Sequence, residues 1–370
     1  MRVAVLKERR KGEARVAATP DTIKKMIDMG MTVAVEKGAG EGSSITDAAY
    51  KDAGATIAAK ADTALKGADV VLKVRRPMTE KEAGVEELEN LPDGCALISI
   101  LDILTKTEQA KTFAKKKVNA FALEMVPRIT RAQNMDVLSS QSNLAGYRAV
   151  IDASHEISTA FPMMMTAAGT VPPVKTLILG AGVAGLQAIA TARRLGSIVH
   201  AFDVRKAAKE QVESLGASFV EVEDDADAET EGGYAKEMSE DYKKRQAAKI
   251  EESVAKSNVV ITTALIPGKP APKLITAAMV EKMKHGSVIV DMATSAGGNV
   301  EGSEVDKIVT TKNGVKIIGY ANIPSRISGN ASALYAKNIL NFLTLLYDKE
   351  AKAINVNMED EIIASTLVKE

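Results

Sequence analysis

The sequence predicts an α/β fold of two doubly wound parallel sheets, and two observations carry that prediction. Short apolar runs alternate with helix-patterned stretches along the chain. One alternation, residues 175–203, also holds a glycine turn in a fixed spacing. There Leu177–Leu179 has the length and composition of a buried parallel strand. Gly180, Gly182 and Gly185 follow as G-x-G-x-x-G, and Leu186 to Leu195 has helical composition, closed by Gly196 at the C′ position. A second apolar run, Ile198 to Phe202, ends on Asp203. Strand, glycine turn, helix, strand and acid together read as a Rossmann-like dinucleotide unit.

Each part has a physical job. Gly180 makes the tight turn, Gly182 lets backbone approach a pyrophosphate, and Gly185 lets helix and strand pack closely. The helix N-terminus faces the anion. Asp203, 18 positions past Gly185, is placed to accept both hydroxyls of an adenosine ribose. A 2′-phosphate would meet like charge there, which favours NAD(H) over NADP(H), although Arg205 two positions on blurs that inference. The competing reading is a glycine-rich turn that serves packing alone.

The totals bound the rest. A length of 370 residues suggests two domains. Lys plus Arg equal Asp plus Glu at 48 each, so no net field recruits nucleic acid or acidic lipid. Aromatics make up 4% with no Trp, which argues against base-stacking surfaces. The single Cys95 excludes an internal disulfide framework and fits a reducing compartment. His155, His200 and His285 show no metal-ligand spacing with it, so no metal is expected. The N-terminus reads as a first strand rather than a signal peptide. No run reaches about 18 apolar residues, so direct membrane insertion is not expected.

Along the first third, strands are expected at Val3–Leu6, Thr32–Val35, Val70–Val74, Ala96–Leu101 and Ala120–Met125. Thr19-Pro20-Asp21 supplies an N-cap, an N1 proline and a first-turn acid for a helix that stops at Gly30. Further helices are expected at 46–53, 61–67 and 106–117. A long helix runs from about Ser139 toward Thr159 and bridges the domains. Phe161–Val174 is expected to be a loop, its Met163–Met165 triplet adaptable core rather than a ligand surface. After Asp203 a helix runs to Gly216, and the charged stretch 221–246 is an exposed loop with partial helix, either a solvated insertion or a lid. Strands resume at Val259–Thr263, Val288–Asp291 and Lys316–Gly319. The apolar helix Ala331–Leu346 returns to the first domain, whose tail, 354–368, is expected to pair as short strands. The domains are therefore placed at 1–138 plus 325–370 and at 139–324, joined by long helices with a nucleotide cleft between them.

A second constellation lies in the polar stretch Pro127–Arg148. Arg128, Arg131, Gln133, Asp136 and Ser139 fall within twelve positions at the expected domain junction, where clefts form. Arginine grips phosphate or carboxylate, and glutamine bonds ribose hydroxyls or a carboxamide. None is an efficient general base at its ordinary pKa. A hydrogen-bonded hinge would use the same residues.

Here the sequence becomes recognisable. Pro127–Val150, Phe161–Pro173, Gly233–Met238 and Thr262–Pro272 closely resemble the NAD(H)-binding component of proton-translocating nicotinamide nucleotide transhydrogenases, over essentially the whole chain. The resemblance implies that Arg128, Ile129, Thr130, Arg131, Gln133, Asp136 and Ser139 serve the nicotinamide and its ribose, Gln133 reaching the partner nucleotide as well. It implies that Val183 lies under the pyrophosphate and that Asp203, Val204 and Arg205 surround the adenosine ribose. Gly233 and Tyr234 match a mobile closing loop, and Gln246 and Leu265 fall at further nucleotide contacts. The implied reaction is hydride transfer between NADH here and NADP+ on a separate NADP(H)-binding component, coupled to proton movement by a membrane-spanning component. A homodimer, cytoplasmic and attached to the inner membrane through its partners, is implied too.

The chain also resembles alanine dehydrogenase in Lys7-Glu8-Arg9-Arg10, Arg15 and Lys73. That enzyme needs a proton-transfer group and a cation for its substrate. The histidine its pattern places after the fifth strand is here Ile100, and the aspartate ahead of its Gly-Gly is here Ser295. Amino-acid oxidation is therefore disfavoured, and Arg15 and Lys73 are expected to be structural. A non-catalytic NAD-binding module is the remaining alternative.

Overall fold

A computed structural model describes residues 1–82, 86–222, 239–266 and 268–369. The chain forms two compact units, Met1–Gln141 with Pro324–Glu370, and Ser142–Ile323.

Unit 1 opens with β1 (Arg2–Val5), α1 (Pro20–Asp28) and β2 (Thr32–Glu36). Thr22 Oγ1 accepts the Thr19 backbone N–H at 2.9 Å, so the cap read from Thr19-Pro20 is formed. Then come α2 (Asp47–Asp52), β3 (Thr56–Ala58), α3 (Ala61–Leu65), β4 (Val70–Arg75), β5 (Ala96–Ile100), α4 (Glu108–Lys115) and β6 (Asn119–Ala122). The sheet order is β3-β2-β1-β4-β5-β6, every pair parallel. Alternate residues feed opposite cores. Val3, Val5, Val33, Val35, Leu72 and Ile98 enter one cluster, while Ala4, Leu6, Ala34, Val71 and Leu97 enter the other. Burial on both faces is why these strands read as unbroken apolar runs rather than as alternation.

The 20-residue α5 (Val137–Glu156) contains the boundary between the units. Unit 2 continues with β7 (Met164–Thr166), β8 (Gly169–Val171), β9 (Lys175–Leu179), α6 (Val183–Arg194), β10 (Ile198–Phe202), α7 (Ala207–Ser214) and β11 (Ser218–Phe219). After α8 (Glu240–Lys256) come β12 (Val259–Thr262), α9 (Ala277–Glu281), β13 (Val288–Asp291), β14 (Ile308–Thr310) and β15 (Lys316–Ile318). Its sheet order is β11-β10-β9-β12-β13-β15-β14, with only β14 antiparallel to its neighbour. Unit 1 is then completed by α10 (Ser328–Leu346), a hairpin of β16 (Tyr347–Asp348) and β17 (Ala353–Ile354), and α11 (Glu361–Thr366).

Three expectations are corrected. Phe161–Val174 is not simply a loop but carries the antiparallel hairpin β7–β8. The methionine triplet is not core: Met163, Met164 and Met165 are 60%, 42% and 78% exposed. Two three-residue strands carry too few positions for a period to show, and apolar composition does not say which side of a hairpin is covered. The tail does not pair mainly as strands. Asp360 accepts the Ile362 N–H at 2.9 Å and, with Glu361 in the first turn, starts a helix there; only Leu367 bridges to Phe121. Among the described residues, no helix is long and apolar enough to cross a membrane.

Candidate functional site: a glycine turn and a polar stretch

In unit 2, β9 is central and both its neighbours run parallel to it, so its C-terminal end lies at the switch point of the sheet. Gly180, the first residue past β9, has φ +101°, a backbone state that excludes most side chains. Its carbonyl oxygen accepts the Thr263 hydroxyl at 2.9 Å, which ties the turn to the end of β12. A Cβ at Gly185 would collide with that same carbonyl oxygen, so helix and turn can meet only with glycine there. Gly182 is different. It is the residue before α6, and a Cβ on it would touch nothing within 4 Å. Packing does not require glycine at 182; the close approach of a ligand does. The open space, the 12-residue helix starting at Val183 and the N–H groups of its first turn fit a pyrophosphate.

Asp203 follows β10 directly, and its side chain is only 7% exposed. Its Oδ2 accepts the Ala181 N–H at 2.7 Å and Arg205 Nη2 at 2.8 Å. Its Oδ1 accepts the Arg205 N–H and Nε, both at 2.9 Å. The acid thus braces the glycine turn as well as lying where a ribose is expected. Val204 packs against a core cluster, whereas Val183 and Leu265 are 42% and 45% exposed. Gln246 is half-buried on α8. Gly233 and Tyr234, the closing-loop residues, lie outside the described residues. Sequence reading missed Gly146. It packs α5 so tightly on Ala184 of α6 that a Cβ would strike the Ala184 carbonyl. Only the helical frame around it, Ala145 to Ala149, hinted at close packing.

The polar stretch lies in unit 1. Residues Thr130–Met135 form a short 3₁₀ turn pinned by buried Ala132 and Met135. The Asn134 carbonyl accepts Asn338 Nδ2 at 2.8 Å and Asn341 Nδ2 at 3.0 Å, both from α10. Asp136 then caps α5: its carboxylate accepts the Ser139 N–H at 2.9 Å and the Ser139 hydroxyl at 2.5 Å. Arg128, Thr130, Arg131 and Gln133 are exposed on this frame, and Ile129 is half-buried against the core. Arg131 is held by both carboxylate oxygens of Asp360, at 2.7 and 3.0 Å. That pairing raises the guanidinium pKa and lowers that of Asp360. The partner lies 229 positions away and no local signal points to it. Asp136 and Ser139 therefore orient the loop through the cap, while Arg128 and Gln133 present their polar ends outward.

Elsewhere in unit 1 the cations shared with the rival enzyme are satisfied internally. Arg15 forms a fork with Glu13 at 2.8 and 2.7 Å and donates to Gln141 at 2.9 Å. Lys73 is fully buried, with Glu87 at 3.0 Å and Glu8 at 3.6 Å. Ile100 ends β5, and exposed Ser295 sits in a 3₁₀ turn after Asp291. Asp291 itself is fully buried and accepts the N–H groups of Ala293, Asn299 and Val300 at 3.0–3.2 Å. It is a brace, not a proton carrier. Among the described residues, no cluster of three His, Cys, Asp or Glu side chains could hold a metal.

Comparisons with known proteins agree with this geometry. Residues 4–145 match the family described as alanine dehydrogenase/PNT, N-terminal domain, and residues 149–370 match its C-terminal domain. The chain is 57% identical to the first of the polypeptides that make up NAD(P) transhydrogenase subunit alpha in Rhodospirillum rubrum, over all of this chain and 96% of that one. It is 45% identical to NAD(P) transhydrogenase subunit alpha of Haemophilus influenzae, over all of this chain and 70% of that one. An alanine dehydrogenase of Staphylococcus haemolyticus is 30% identical over 94% of this chain and 88% of its own. Among solved structures, a transhydrogenase from Sinorhizobium meliloti superposes with a TM-score of 0.88 at 49% identity, covering 100% of this chain and 99% of that one. An L-alanine dehydrogenase superposes with a TM-score of 0.77 at 26% identity, covering 100% and 97%.

Proposed function

The chain belongs to the alanine dehydrogenase/PNT family, and from that premise we propose that it is the NAD(H)-binding component of a proton-translocating NAD(P) transhydrogenase. In this reading it passes hydride between NADH and an NADP+ held by a separate NADP(H)-binding component, and a membrane-spanning component couples the step to proton movement. The observation that carries the reading is Gly182: it is open where packing would tolerate a larger residue, between a braced turn and a helix N-terminus.

The bound dinucleotide supplies the hydride. The residues of the chain bind and orient it. The first-turn N–H groups of α6 take the pyrophosphate beside Val183, and Asp203, Val204 and Arg205 take the adenosine ribose. Gln246 and Leu265 add contacts, with Gly233 and Tyr234 closing over the nucleotide. Arg128, Ile129, Thr130, Arg131 and Gln133 hold the nicotinamide and its ribose, on a loop set by the Asp136–Ser139 cap. No acid or base is needed, because hydride passes between two nicotinamide rings with no proton gained or lost. Alignment and exclusion of water are the catalysis required. A site of Arg, Gln, Asp and Ser without histidine suits that chemistry. A homodimer held at the inner membrane by its partners completes the proposal.

The test is a reconstitution. The purified chain plus the NADP(H)-binding component of a relative should oxidise NADH with an acetylpyridine analogue of NADP+ as acceptor. L-alanine with NAD+ should produce no absorbance at 340 nm. Silence in the first assay or turnover in the second overturns the proposal.

A further inference from the structure

A carboxylate offers about four acceptor positions, and in this structure all four on Asp203 are taken. The Ala181 N–H and the Arg205 N–H, Nε and Nη2 lie at 2.7, 2.9, 2.9 and 2.8 Å. Two ribose hydroxyls need two of these positions. The two backbone donors cannot leave without unwinding the glycine turn or the end of β10, since Ala181 lies between Gly180 and Gly182 and Arg205 is two residues past the acid. The guanidinium can leave by side-chain rotation alone, and it is 20% exposed on the solvent side of a nearly buried acid.

We propose that Arg205 is an internal competitor of the adenosine ribose and thereby sets both the strength and the selectivity of dinucleotide binding. Binding NADH exchanges the bidentate Arg205–Asp203 pair for two ribose hydroxyls, so part of the ribose's interaction is spent on releasing the arginine. The released guanidinium stays beside the ribose 2′ position, where it offsets the repulsion that Asp203 exerts on a 2′-phosphate. One residue therefore weakens NADH binding and softens discrimination against NADP(H). The inference rests on the proposed function, in that Asp203 is taken as the ribose acceptor.

The experiment measures Kd for NADH, NADPH, 5′-AMP and 2′-deoxy-AMP on the full chain, by NADH fluorescence and calorimetry. It compares the wild type with Arg205→Gln, Arg205→Lys, Asp203→Asn and the Asp203→Asn/Arg205→Gln double variant. Arg205→Gln keeps the backbone donor and removes the fork. It should tighten NADH and 5′-AMP by about fivefold, the scale of one partly exposed ion pair, and weaken NADPH. The gain should shrink for 2′-deoxy-AMP and vanish on the Asp203→Asn background, and Arg205→Lys should fall between wild type and Gln. A merely structural arginine would move all four ligands alike. If Asp203→Asn weakens NADH while Arg205→Gln does not tighten it, the competition is overturned and the ribose assignment stands. If Asp203→Asn leaves NADH and 5′-AMP unchanged, the ribose assignment falls and the competition with it.

Discussion

Lys73 is the cation that lets Glu8 and Glu87 remain inside unit 1, with Arg9 adding a second contact to Glu87 at 3.3 Å. Removing one partner of a buried ion pair leaves a desolvated charge behind, and burial already raises the pKa of Glu8 despite Lys73. Lys73→Met should therefore destabilise unit 1 by about 3 kcal/mol, measured by urea unfolding. It should leave NADH binding in the folded protein unchanged, because the nucleotide contacts proposed here do not include this cluster. Glu124 gives a prediction in pH. Its carboxylate accepts the Leu101 and Ile103 N–H groups at 3.0 and 2.9 Å, yet burial raises its pKa. A native pKa above the unfolded value, about 4.3, means that the folded state holds the proton more tightly. The stabilisation from Glu124 is thus complete below that value and lost as pH rises through the native pKa. Glu124→Gln keeps an acceptor and no charge. The unfolding free energy of the variant should gain on the wild type between pH 4 and pH 7, and a constant difference across that interval would refute the assignment.

At the scale of elements, the two outer glycines of the turn separate folding from binding. Gly185→Ala drives a methyl group into the Gly180 carbonyl and should unfold or badly destabilise unit 2. Gly182→Ala meets no atom within 4 Å. It should unfold within about 2 °C of the wild type in a thermal melt, a small stability change for a protein of this size, yet bind NADH at least tenfold more weakly. Equal affinity would mean the turn serves packing alone. The same turn shows what a sequence can and cannot disclose. The β9 glycine turn and β10 were legible because a strained turn needs glycine at fixed spacing, and because strands buried on both faces need unbroken apolar runs. β3, β11 and β14 were not, since runs of two or three residues carry no period. Asp136 was read as a site residue from its type and position. Its hold on Ser139 is an N-cap, the commonest use of an aspartate ahead of a helix. Arg131 could not be placed at all without knowing that Asp360 folds back onto it.

At the scale of the whole molecule, the same strand order, 3-2-1-4-5 followed by further strands, is built twice, and both copies brace their second strand in one way. Lys7 lies two residues past β1 and donates its N–H to Glu36 at 2.9 Å, as Ala181, two residues past β9, donates to Asp203. Arg9 then grips Glu36 as Arg205 grips Asp203. The copies part at the next step. In unit 2 the chain enters α6 at Val183, whereas in unit 1 it does not enter α1 until Pro20. Only unit 2 therefore sets a helix N-terminus behind its turn, and only unit 2 suits a pyrophosphate. Unit 1 is left to supply the polar stretch, and the proposed chemistry asks one thing of it: a fixed place for the nicotinamide. Gln133 is the side chain that tests this. It is exposed on a turn that is itself pinned by Ala132, Met135 and the two asparagines of α10, so shortening it by one methylene moves its amide without disturbing the frame. Hydride transfer depends steeply on the alignment of the reacting atoms, whereas ground-state affinity is shared among many contacts. Gln133→Asn should thus slow single-turnover hydride transfer to partner-bound NADP+ by roughly a hundredfold, while the NADH Kd rises no more than about threefold. A loss of the same size in both quantities would show that Gln133 only binds, and that the nicotinamide is positioned by something else.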